Sequence, residues 1–342
     1  MPLIDLIASA RANDIALVQP ESDFRLTFGA LRAQVDILAS ALAAAGVRRN
    51  DRVTLSLDNE PAIVVAILAA STIDAAAAFE DRGARASIVS GDAPNALPRI
   101  LTRSVPDADS RSVPDDVAVI LHTRGTTGPP KRVLLSNENL TVSARHTATR
   151  LEPGPTDVTL CVMPIAQVQG LVTATLATLA AGGTVVMPRA FHPLAFWRIA
   201  RDYTVTWFTA APTIHQWLLA RTADPGARRP AGAARLRFIR SSGSALPPVV
   251  AHTLESAFGV PVLDAYEVTE AAGDTGAARI AIMGADGRPL EPGDRGEVAL
   301  AGPSVACGYD NDLDSTRKYF VDGWFRTGDF GYRDARGQLT LL

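Results

Sequence analysis

HTRGTTGPPK, residues 122–131, decides how the rest of this chain is interpreted. It follows the continuous apolar run DVAVIL, residues 116–121, which is typical of a buried strand. Downstream, Ser136 offers a capping side chain before a helical pattern, so the glycine-rich stretch is expected to lie between a strand and a helix. Glycines let backbone N–H groups approach an anion, threonines donate hydrogen bonds, and Lys131 supplies a cation. The stretch therefore predicts a phosphate-binding loop, although it lacks the Gly-Lys-Ser/Thr ending of a Walker A loop.

The composition excludes several classes of function. The chain has 342 residues, 47% hydrophobic and 20% charged, so a large core and two or three domains are expected. The net charge of −3 gives no electrostatic footprint for nucleic acid or an anionic membrane. Two distant cysteines, Cys161 and Cys307, predict neither a disulfide framework nor a zinc site. With no recognisable secretory leader or membrane span, we expect a cytoplasmic protein, whose oligomeric state stays open.

Strand and helix patterns alternate regularly after the loop. Strands are predicted at 158–163, 184–187, 205–209, 236–240 and 262–265, and helices at 137–150, 169–181, 193–202, 212–222 and 247–258. This alternation favours parallel sheets covered by helices. From about residue 278 the pattern changes to hairpins. We therefore expect an α/β core over 1–277, as one unit or as two subdomains divided near 92–115, and a small β-rich subdomain over 278–342.

The region before the loop gives fewer signals. Thr27 is expected to cap a helix that ends at Gly46, and residues 63–70 predict a helix buried on nearly every side. Short strands are predicted at 53–57 and 86–89, and the first ten residues are expected to form a helix. The stretch 92–115, rich in Pro, Ser and Asp, predicts a surface linker.

Four motifs, in this order, resemble those of the adenylate-forming superfamily, which includes acyl-CoA synthetases, luciferases and peptide-synthetase adenylation domains. The loop resembles the phosphate-binding signature, and SSGSALP, residues 241–247, is similar to the segment along the adenine ring. DAYEVTE, residues 264–270, resembles the tyrosine–threonine–glutamate signature, and GWFRTGD, residues 323–329, resembles the ribose-binding one. Within the superfamily, the stretches 136–141, 160–164, 206–216 and 235–241 look most like oxalate–CoA ligases and their small-acid relatives.

The resemblance implies the large domain of an acyl-CoA synthetase that binds ATP or AMP and Mg²⁺ and uses CoA as co-substrate with a small carboxylic acid. Catalytic roles are implied for Thr269, Glu270 and Lys131, with Glu270 also the metal ligand. Tyr266 is expected to stack on adenine, and Asp329 to accept hydrogen bonds from the ribose hydroxyls. The implied nucleotide contacts are Thr123, Arg124, Gly125, Thr126, Thr127, Gly128, Lys131, Gly243, Ser244, Ala245, Asp264, Ala265, Tyr266, Thr269 and Asp329. The implied acid contacts are Gln167, Gln169 and Ser242.

Each motif residue also has a structural interpretation. Tyr266 is compatible with a half-buried strand aromatic, Glu270 with a helix cap, Asp329 with a turn residue, and Thr269 with ordinary strand polarity. The histidines show no ligand spacing and are expected to be structural, and His122 differs from the others because it begins the loop.

The sequence departs from the family pattern at several positions. Arg124 stands where the family usually has serine, and it either adds a phosphate donor or occupies the phosphate site. Glu267 stands where the family usually has a small residue, which brings another negative charge close to the nucleotide. Ala166 and Gln167 replace a common phenylalanine–histidine pair beside the acid. The same segment carries no acidic residue, which argues against an amino-acid substrate. Segments 72–85 and 271–281 look shorter than the family norm.

The chain also stops at Leu342, before the hinge that leads to the family's C-terminal lid, which carries the lysine credited with adenylation. We therefore expect these residues alone to adenylate poorly or not at all. Two alternatives stay open: a degenerate, non-catalytic nucleotide-binding or scaffold protein, and a medium- or long-chain fatty-acid ligase.

Overall fold

A computed structural model of the chain describes residues 1–79, 84–91, 97–102, 113–123, 129–220 and 235–342. Its strands, in chain order, are β1 (Ile15–Gln19), β2 (Phe24–Thr27), β3 (Arg52–Ser56), β4 (Ala76–Ala78), β5 (Ala86–Val89), β6 (Arg99–Thr102), β7 (Val117–His122), β8 (Arg132–Ser136), β9 (Val158–Cys161), β10 (Thr184–Val186), β11 (Trp207–Ala210), β12 (Phe238–Ser242), β13 (Val262–Ala265), β14 (Glu267–Val268), β15 (Gly273–Asp274), β16 (Arg279–Met283), β17 (Gly296–Ala301), β18 (Phe320–Val321), β19 (Trp324–Arg333) and β20 (Leu339–Leu341).

The helices are α1 (Phe28–Ala44), α2 (Pro61–Thr72), α3 (Asn137–Leu151), α4 (Ala177–Ala180), α5 (Pro193–Asp202), α6 (Pro212–Ala220), α7 (Pro248–Phe258) and α8 (Leu313–Tyr319). A wider π-helical segment, Gln169–Leu176, runs directly into α4. Short 3-10 turns occupy Leu3–Ile7, Thr269–Ala271 and Thr275–Ala277.

Two mostly parallel sheets form the larger part of the fold. The first has the strand order β13-β12-β11-β9-β10-β1-β2, with only β2 antiparallel to its neighbour. The second has the order β6-β5-β3-β4-β7-β8, with antiparallel pairs at both edges. This confirms the predicted class of parallel sheets covered by helices.

The helix α2 fills the core because it is apolar on all sides. Residues Ile63 to Ala70 are all buried, and the π-helical segment Gln169–Leu176 is buried along its whole length. Residues of α1, α2, β3 and this segment belong to one apolar cluster. Complete burial is what an all-apolar helix predicts, since no face of it is suited to water. Within the described ranges, no helix is long and apolar enough to cross a bilayer.

The predicted helix caps are present. The Thr27 hydroxyl accepts the Ala30 N–H at 3.2 Å, and Gly46 takes a positive φ of 91° just beyond α1. Ser136 and Asn139 form a reciprocal capping box at the start of α3, with distances of 3.0 and 2.9 Å. A cap of this kind contributes about 1 kcal/mol and fixes where α3 begins.

A small antiparallel sheet follows the two larger ones. Its order is β16-β17-β19-β18, and β20 pairs with β19 through a tight turn at Asp334–Gly337. The hairpin pattern after residue 278 predicted this β-rich unit. Where one unit ends and the next begins stays a prediction.

The structure corrects three local predictions. The glycine-rich stretch joins β7 to an antiparallel β8 and does not lead directly into a helix, because Arg132–Ser136 forms a strand before α3. The strand β6 lies inside the expected linker 92–115, parts of which are outside the described residues. The helix expected over the first ten residues is only the 3-10 turn Leu3–Ile7.

Candidate nucleotide- and acid-binding site

The two ends of the glycine-rich stretch are held together at the base of the β7–β8 hairpin. The Thr123 N–H donates to the Lys131 carbonyl at 2.9 Å, and the Lys131 N–H donates to the Thr123 hydroxyl at 3.0 Å. Of the predicted phosphate contacts, Arg124, Gly125, Thr126, Thr127 and Gly128 lie outside the described residues. The base therefore fixes where the loop starts and ends.

The Lys131 ammonium lies over two aromatic rings. Its Nζ is 4.6 Å from the ring centroid of Tyr319 and 5.4 Å from that of Tyr309. Cation–π contacts of this kind hold a cation without neutralising its charge. The Tyr309 hydroxyl also donates to Glu270 Oε1 at 2.7 Å, so one tyrosine contacts two of the three predicted catalytic residues. Tyr309 carried no signal in the sequence motifs, and it is the main site residue that they missed.

Glu270 is a buried carboxylate, with 8% of the residue exposed. Burial raises the pKa of its carboxyl group, and Asp329 acts in the same direction, whereas the Tyr309 hydrogen bond and the Lys131 charge oppose the shift. Among the described residues Glu270 has no ion-pair partner within 4.0 Å. Its neighbour Thr269 begins the turn Thr269–Ala271, and the backbone of Glu270 is anchored by the Ala306 N–H at 2.7 Å.

These features fit a magnesium ion. Mg²⁺ is commonly held by one or two carboxylates together with substrate phosphates and water. A buried carboxylate that lacks an ion pair in the described part of the chain is a suitable donor. No cluster of three or more His, Cys, Asp or Glu side chains with metal-binding spacing occurs in that part. The ion would therefore depend on phosphate oxygens as well as on Glu270.

Tyr266 and Asp329 come together from two different sheets. Tyr266 follows β13 and Asp329 lies in β19, and the Tyr266 hydroxyl donates to the Asp329 carboxylate. Burial and the nearby carboxylate raise the pKa of the Tyr266 hydroxyl. The backbone N–H of Asp329 donates to the Thr327 hydroxyl at 3.1 Å, which constrains the backbone at the aspartate. Two residues predicted to bind adenine and ribose thus occupy one small region.

The adenine segment and the tyrosine–threonine–glutamate segment lie at the ends of two neighbouring strands of the first sheet. β12 and β13 are parallel neighbours, with Ser242 opposite Ala265. Gly243 follows β12 with a φ of 88°, and Ser244 and Ala245 are exposed, as is Asp264 at the end of β13. Ligands of parallel α/β sheets bind beyond the carboxyl ends of the strands, so the position of these segments favours ligand binding.

The three predicted acid contacts are not held in one cluster. Gln169 is buried, and its Nε2 donates to the Thr209 hydroxyl at 2.9 Å, while its Oε1 has no partner in the described part of the chain. The Ser242 hydroxyl donates to Glu267 Oε2 at 2.6 Å. Gln167 is half-buried just before the π-helical segment. Two of the three therefore face the polar interior beneath the strand ends.

Glu267 has its carboxylate in that interior, and the prediction that its charge lies close to the nucleotide stays a prediction. Its carboxylate is 3% exposed and forms an ion pair with Arg240, whose Nη1 is 2.7 Å from Oε1. Burial lowers the pKa of Arg240, but Glu267 and Asp274 more than offset it, so the net pKa is raised. An arginine directly after the apolar residues Phe238 and Ile239 of β12 was the available sequence signal for this pair.

Comparison with known proteins agrees with the fold and the motifs. A family model described as AMP-binding enzyme matches residues 5–90 and 81–279. Sulfoacetate–CoA ligase of Cupriavidus necator is 34% identical, over 95% of this chain and 74% of that protein. The chain belongs to the AMP-binding enzyme family. Oxalate–CoA ligase of Arabidopsis thaliana is 39% identical over 71% of this chain and 52% of its own length. The predicted resemblance to this superfamily and to oxalate–CoA ligases is confirmed.

Solved structures show the same fold. ATP-bound MatB from Rhodopseudomonas palustris superposes with a TM-score of 0.82 at 20% identity, over 99% of this chain and 78% of that one. The N-terminal domain of FACL13 from Mycobacterium tuberculosis has a TM-score of 0.82 at 21% identity, over 99% of this chain and 98% of that one. The chain therefore has the fold of the large domain of acyl-CoA synthetases and spans from half to three quarters of the two curated relatives described above.

Proposed function

We propose that this chain binds ATP and Mg²⁺ and, together with a C-terminal lid, activates a small carboxylic acid as an acyl-adenylate for transfer to CoA. The observation that carries the proposal is the arrangement around Tyr309. The Tyr309 ring contacts the Lys131 ammonium and its hydroxyl contacts the Glu270 carboxylate, next to the base of the glycine-rich loop. A cation for phosphate and a carboxylate for the metal are the two charges that ATP activation requires.

The chemistry needs no covalent nucleophile from the protein. A carboxylate oxygen of the acid attacks the α-phosphorus of ATP, the bond to pyrophosphate breaks, and pyrophosphate leaves with the electron pair. The CoA thiolate sulfur then attacks the acyl carbon, and AMP leaves. Bound Mg²⁺ would neutralise phosphate charge. Lys131 would leave the Tyr319 ring to contact the phosphates, and Thr269 would contact the α-phosphate.

The remaining motif residues would position the nucleoside. Tyr266 presents its ring while its hydroxyl is bound to Asp329, so stacking on adenine and the Tyr266–Asp329 hydrogen bond are compatible. Asp329 would accept hydrogen bonds from the ribose hydroxyls with its second oxygen. Gly243, Ser244 and Ala245 would lie along the purine from the neighbouring strand end.

The names of the relatives suggest oxalate or another small acid as the substrate. The curated relatives named as oxalate–CoA ligase and sulfoacetate–CoA ligase share 39% and 34% of aligned residues with this chain. Gln167, Gln169 and Ser242 would provide neutral polar contacts to a small acid. No acidic side chain occupies the 163–170 segment, which disfavours a substrate ammonium group.

Isothermal titration of ATP and AMP with Mg²⁺ tests the proposal. We expect saturable binding of both nucleotides, weakened in Asp329→Asn and Lys131→Met, with Asp286→Asn as an exposed control far from the site motifs in sequence. An absence of heat at millimolar nucleotide would contradict the proposal.

A non-catalytic nucleotide-binding or scaffold protein is the second candidate. The observation that favours it is the buried Arg240–Glu267 pair beneath the strand ends, where an acid would have to enter. A fusion to a lid domain separates the two candidates. Formation of acyl-adenylate with oxalate or a fatty acid would exclude the scaffold, and ATP binding without turnover on any acid would support it.

A further inference from the structure

A buried carboxylate is held by several donors beneath the ends of β12 and β13. Glu267 Oε1 accepts from Arg240 Nη1 at 2.7 Å and from the Thr173 hydroxyl at 2.5 Å, and Oε2 accepts from the Ser242 hydroxyl at 2.6 Å. Arg240 and Glu267 are 1% and 3% exposed. A guanidinium and two hydroxyls converging on one carboxylate are the donor set with which proteins recognise a carboxylate ligand.

The position of this donor set connects it to the proposed acid site. Ser242 is the last residue of β12, immediately before the adenine segment, and Glu267 immediately follows Tyr266. Thr173 lies one helical turn after Gln169 on the π-helical segment, and Gln169 reaches Thr209, which pairs with Arg240 in the sheet. The Glu267 carboxylate therefore contacts one residue that the sequence assigned to acid binding, Ser242, and is linked to a second, Gln169, through Arg240 and Thr209.

The interior around the Arg240–Glu267 pair contains further polar atoms that do not bind the pair. The Ser143 hydroxyl and Glu267 Oε1 both lie within 4 Å of the point where a Cβ on Gly273 would stand. Ser143 Oγ and Gln169 Oε1 are buried and have no hydrogen-bond partner in the described part of the chain. Buried polar atoms usually have partners, so orphaned ones mark a region adapted to a polar occupant.

The charges of the cluster disfavour a second anion. Arg240 Nη2 also binds Asp274 Oδ2 at 3.1 Å, and Asp274 is 13% exposed. Arg240 is therefore already paired with two carboxylates and has no free charge for another anion, and the Arg150 guanidinium lies beside Asp274 near Gly276. An additional buried anion without a partner would be strongly unfavourable here.

We propose that Glu267 is an internal substitute for the anionic tail of an acid, bound to Arg240, Ser242 and Thr173, and that this chain therefore takes carboxylic acids with uncharged tails. This inference deepens the proposed function and rests on it, because the acid is a substrate only if the chain activates acids. It excludes oxalate, malonate and sulfoacetate as preferred acids. It also predicts that removal of the Glu267 side chain opens a binding site for a small free carboxylate.

Chemical rescue tests the proposal without nucleotide or turnover. Glu267→Ala removes the methylene and carboxylate that correspond to acetate, and Arg240 keeps Asp274 as a partner. We expect acetate to raise the melting temperature of Glu267→Ala saturably, by about 2 °C at roughly ten times its dissociation constant, relative to chloride at equal ionic strength. Glu267→Gln is the matched control, because its carboxamide fills the same space, and it should not respond.

The outcomes are distinct from those of the ATP titration. An acetate response restricted to Glu267→Ala, or folding of that variant only in acetate, supports the proposal. No response beyond chloride, an equal response in Glu267→Gln, or failure to fold even in acetate would show that the pair is purely structural and would overturn it.

The wild-type chain gives a second readout that does not depend on the variants. Its melting temperature should be the same in malonate as in chloride, and a saturable rise with malonate alone would also overturn the proposal. An absence of ATP binding by the wild type would instead refute the proposed function and would not affect the acetate and malonate results.

Discussion

Tyr309→Phe is expected to destabilise the protein through Glu270 while leaving the ring beneath Lys131 in place. The hydroxyl that the substitution removes donates to Glu270 Oε1 at 2.7 Å, and the ring lies 5.4 Å from Lys131 Nζ. Because Tyr309 and Glu270 are both buried, the carboxylate is left without this donor. Deleting one partner of a buried hydrogen bond costs about 1–3 kcal/mol.

The expected shift in melting temperature follows from the size of the chain. An unfolding entropy of about 2.1 cal/mol/K per residue gives about 0.7 kcal/mol/K for 342 residues. A loss of 1–3 kcal/mol therefore lowers the melting temperature by about 1.5–4 °C. Differential scanning calorimetry of the wild type and the variant measures this difference directly.

The pH dependence gives a second check. The folded pKa of Glu270 lies above its ordinary value, so folding favours the protonated carboxyl, and the cost of burying the charge applies at pH values above the folded pKa. Removing the Tyr309 donor raises this pKa further. The destabilisation by Tyr309→Phe should therefore be largest near neutral pH and should shrink as the pH falls through the folded pKa.

Tyr309→Leu is the control that removes the ring as well. It also loses the contacts of the ring with Lys131 and with Phe320, whose ring centroid is 5.5 Å away, and should be less stable than Tyr309→Phe at every pH. A Tyr309→Phe variant as stable as the wild type across the pH range would refute the role given to this hydroxyl.

Three further outcomes follow from the described contacts. Glu270→Gln should raise the melting temperature near neutral pH, because it removes the charge of a carboxyl group whose pKa is raised by burial, and this gain should disappear as the pH falls. The same substitution should weaken Mg²⁺-dependent ATP binding. Melting curves at several pH values and parallel ATP titrations measure the two effects. Asp329→Asn should weaken AMP binding by about 1.5–3 kcal/mol, measured by titration, and should lower the pKa of Tyr266, read from its ultraviolet titration. Gly170→Ala should fold poorly, since its Cβ would stand 2.3 Å from the Pro164 carbonyl oxygen, and circular dichroism of the purified variant would show it.

Local signals predicted those elements whose determinants lie close together in sequence. The cap at Ser136 predicted the start of α3, and the strand predicted at 262–265 has the observed bounds of β13. The helix α2 could be predicted as buried because apolar residues cover all its faces. The order of the four motifs was sufficient to predict the family, which the comparisons confirm.

Contacts between distant segments could not be predicted in this way. β8 was missed because its apolar core, Val133–Leu135, is short and directly precedes a strong helix cap. Tyr309 lies 39 residues after Glu270, and Arg240 lies 27 residues before Glu267, so neither pair is visible without the fold. The motif predicted that Glu267 brings a charge near the nucleotide. The direction of its side chain could not be predicted, because it depends on pairing with Arg240 in the folded chain.

A crystal structure grown with excess ATP and Mg²⁺ tests the central claim most directly. We expect the Lys131 ammonium to leave the Tyr319 ring for the phosphates, Glu270 to face the metal, and Tyr266 and Asp329 to contact the nucleoside. Lys131 still over Tyr319, with no nucleotide density beside Tyr266 and Asp329, would contradict it.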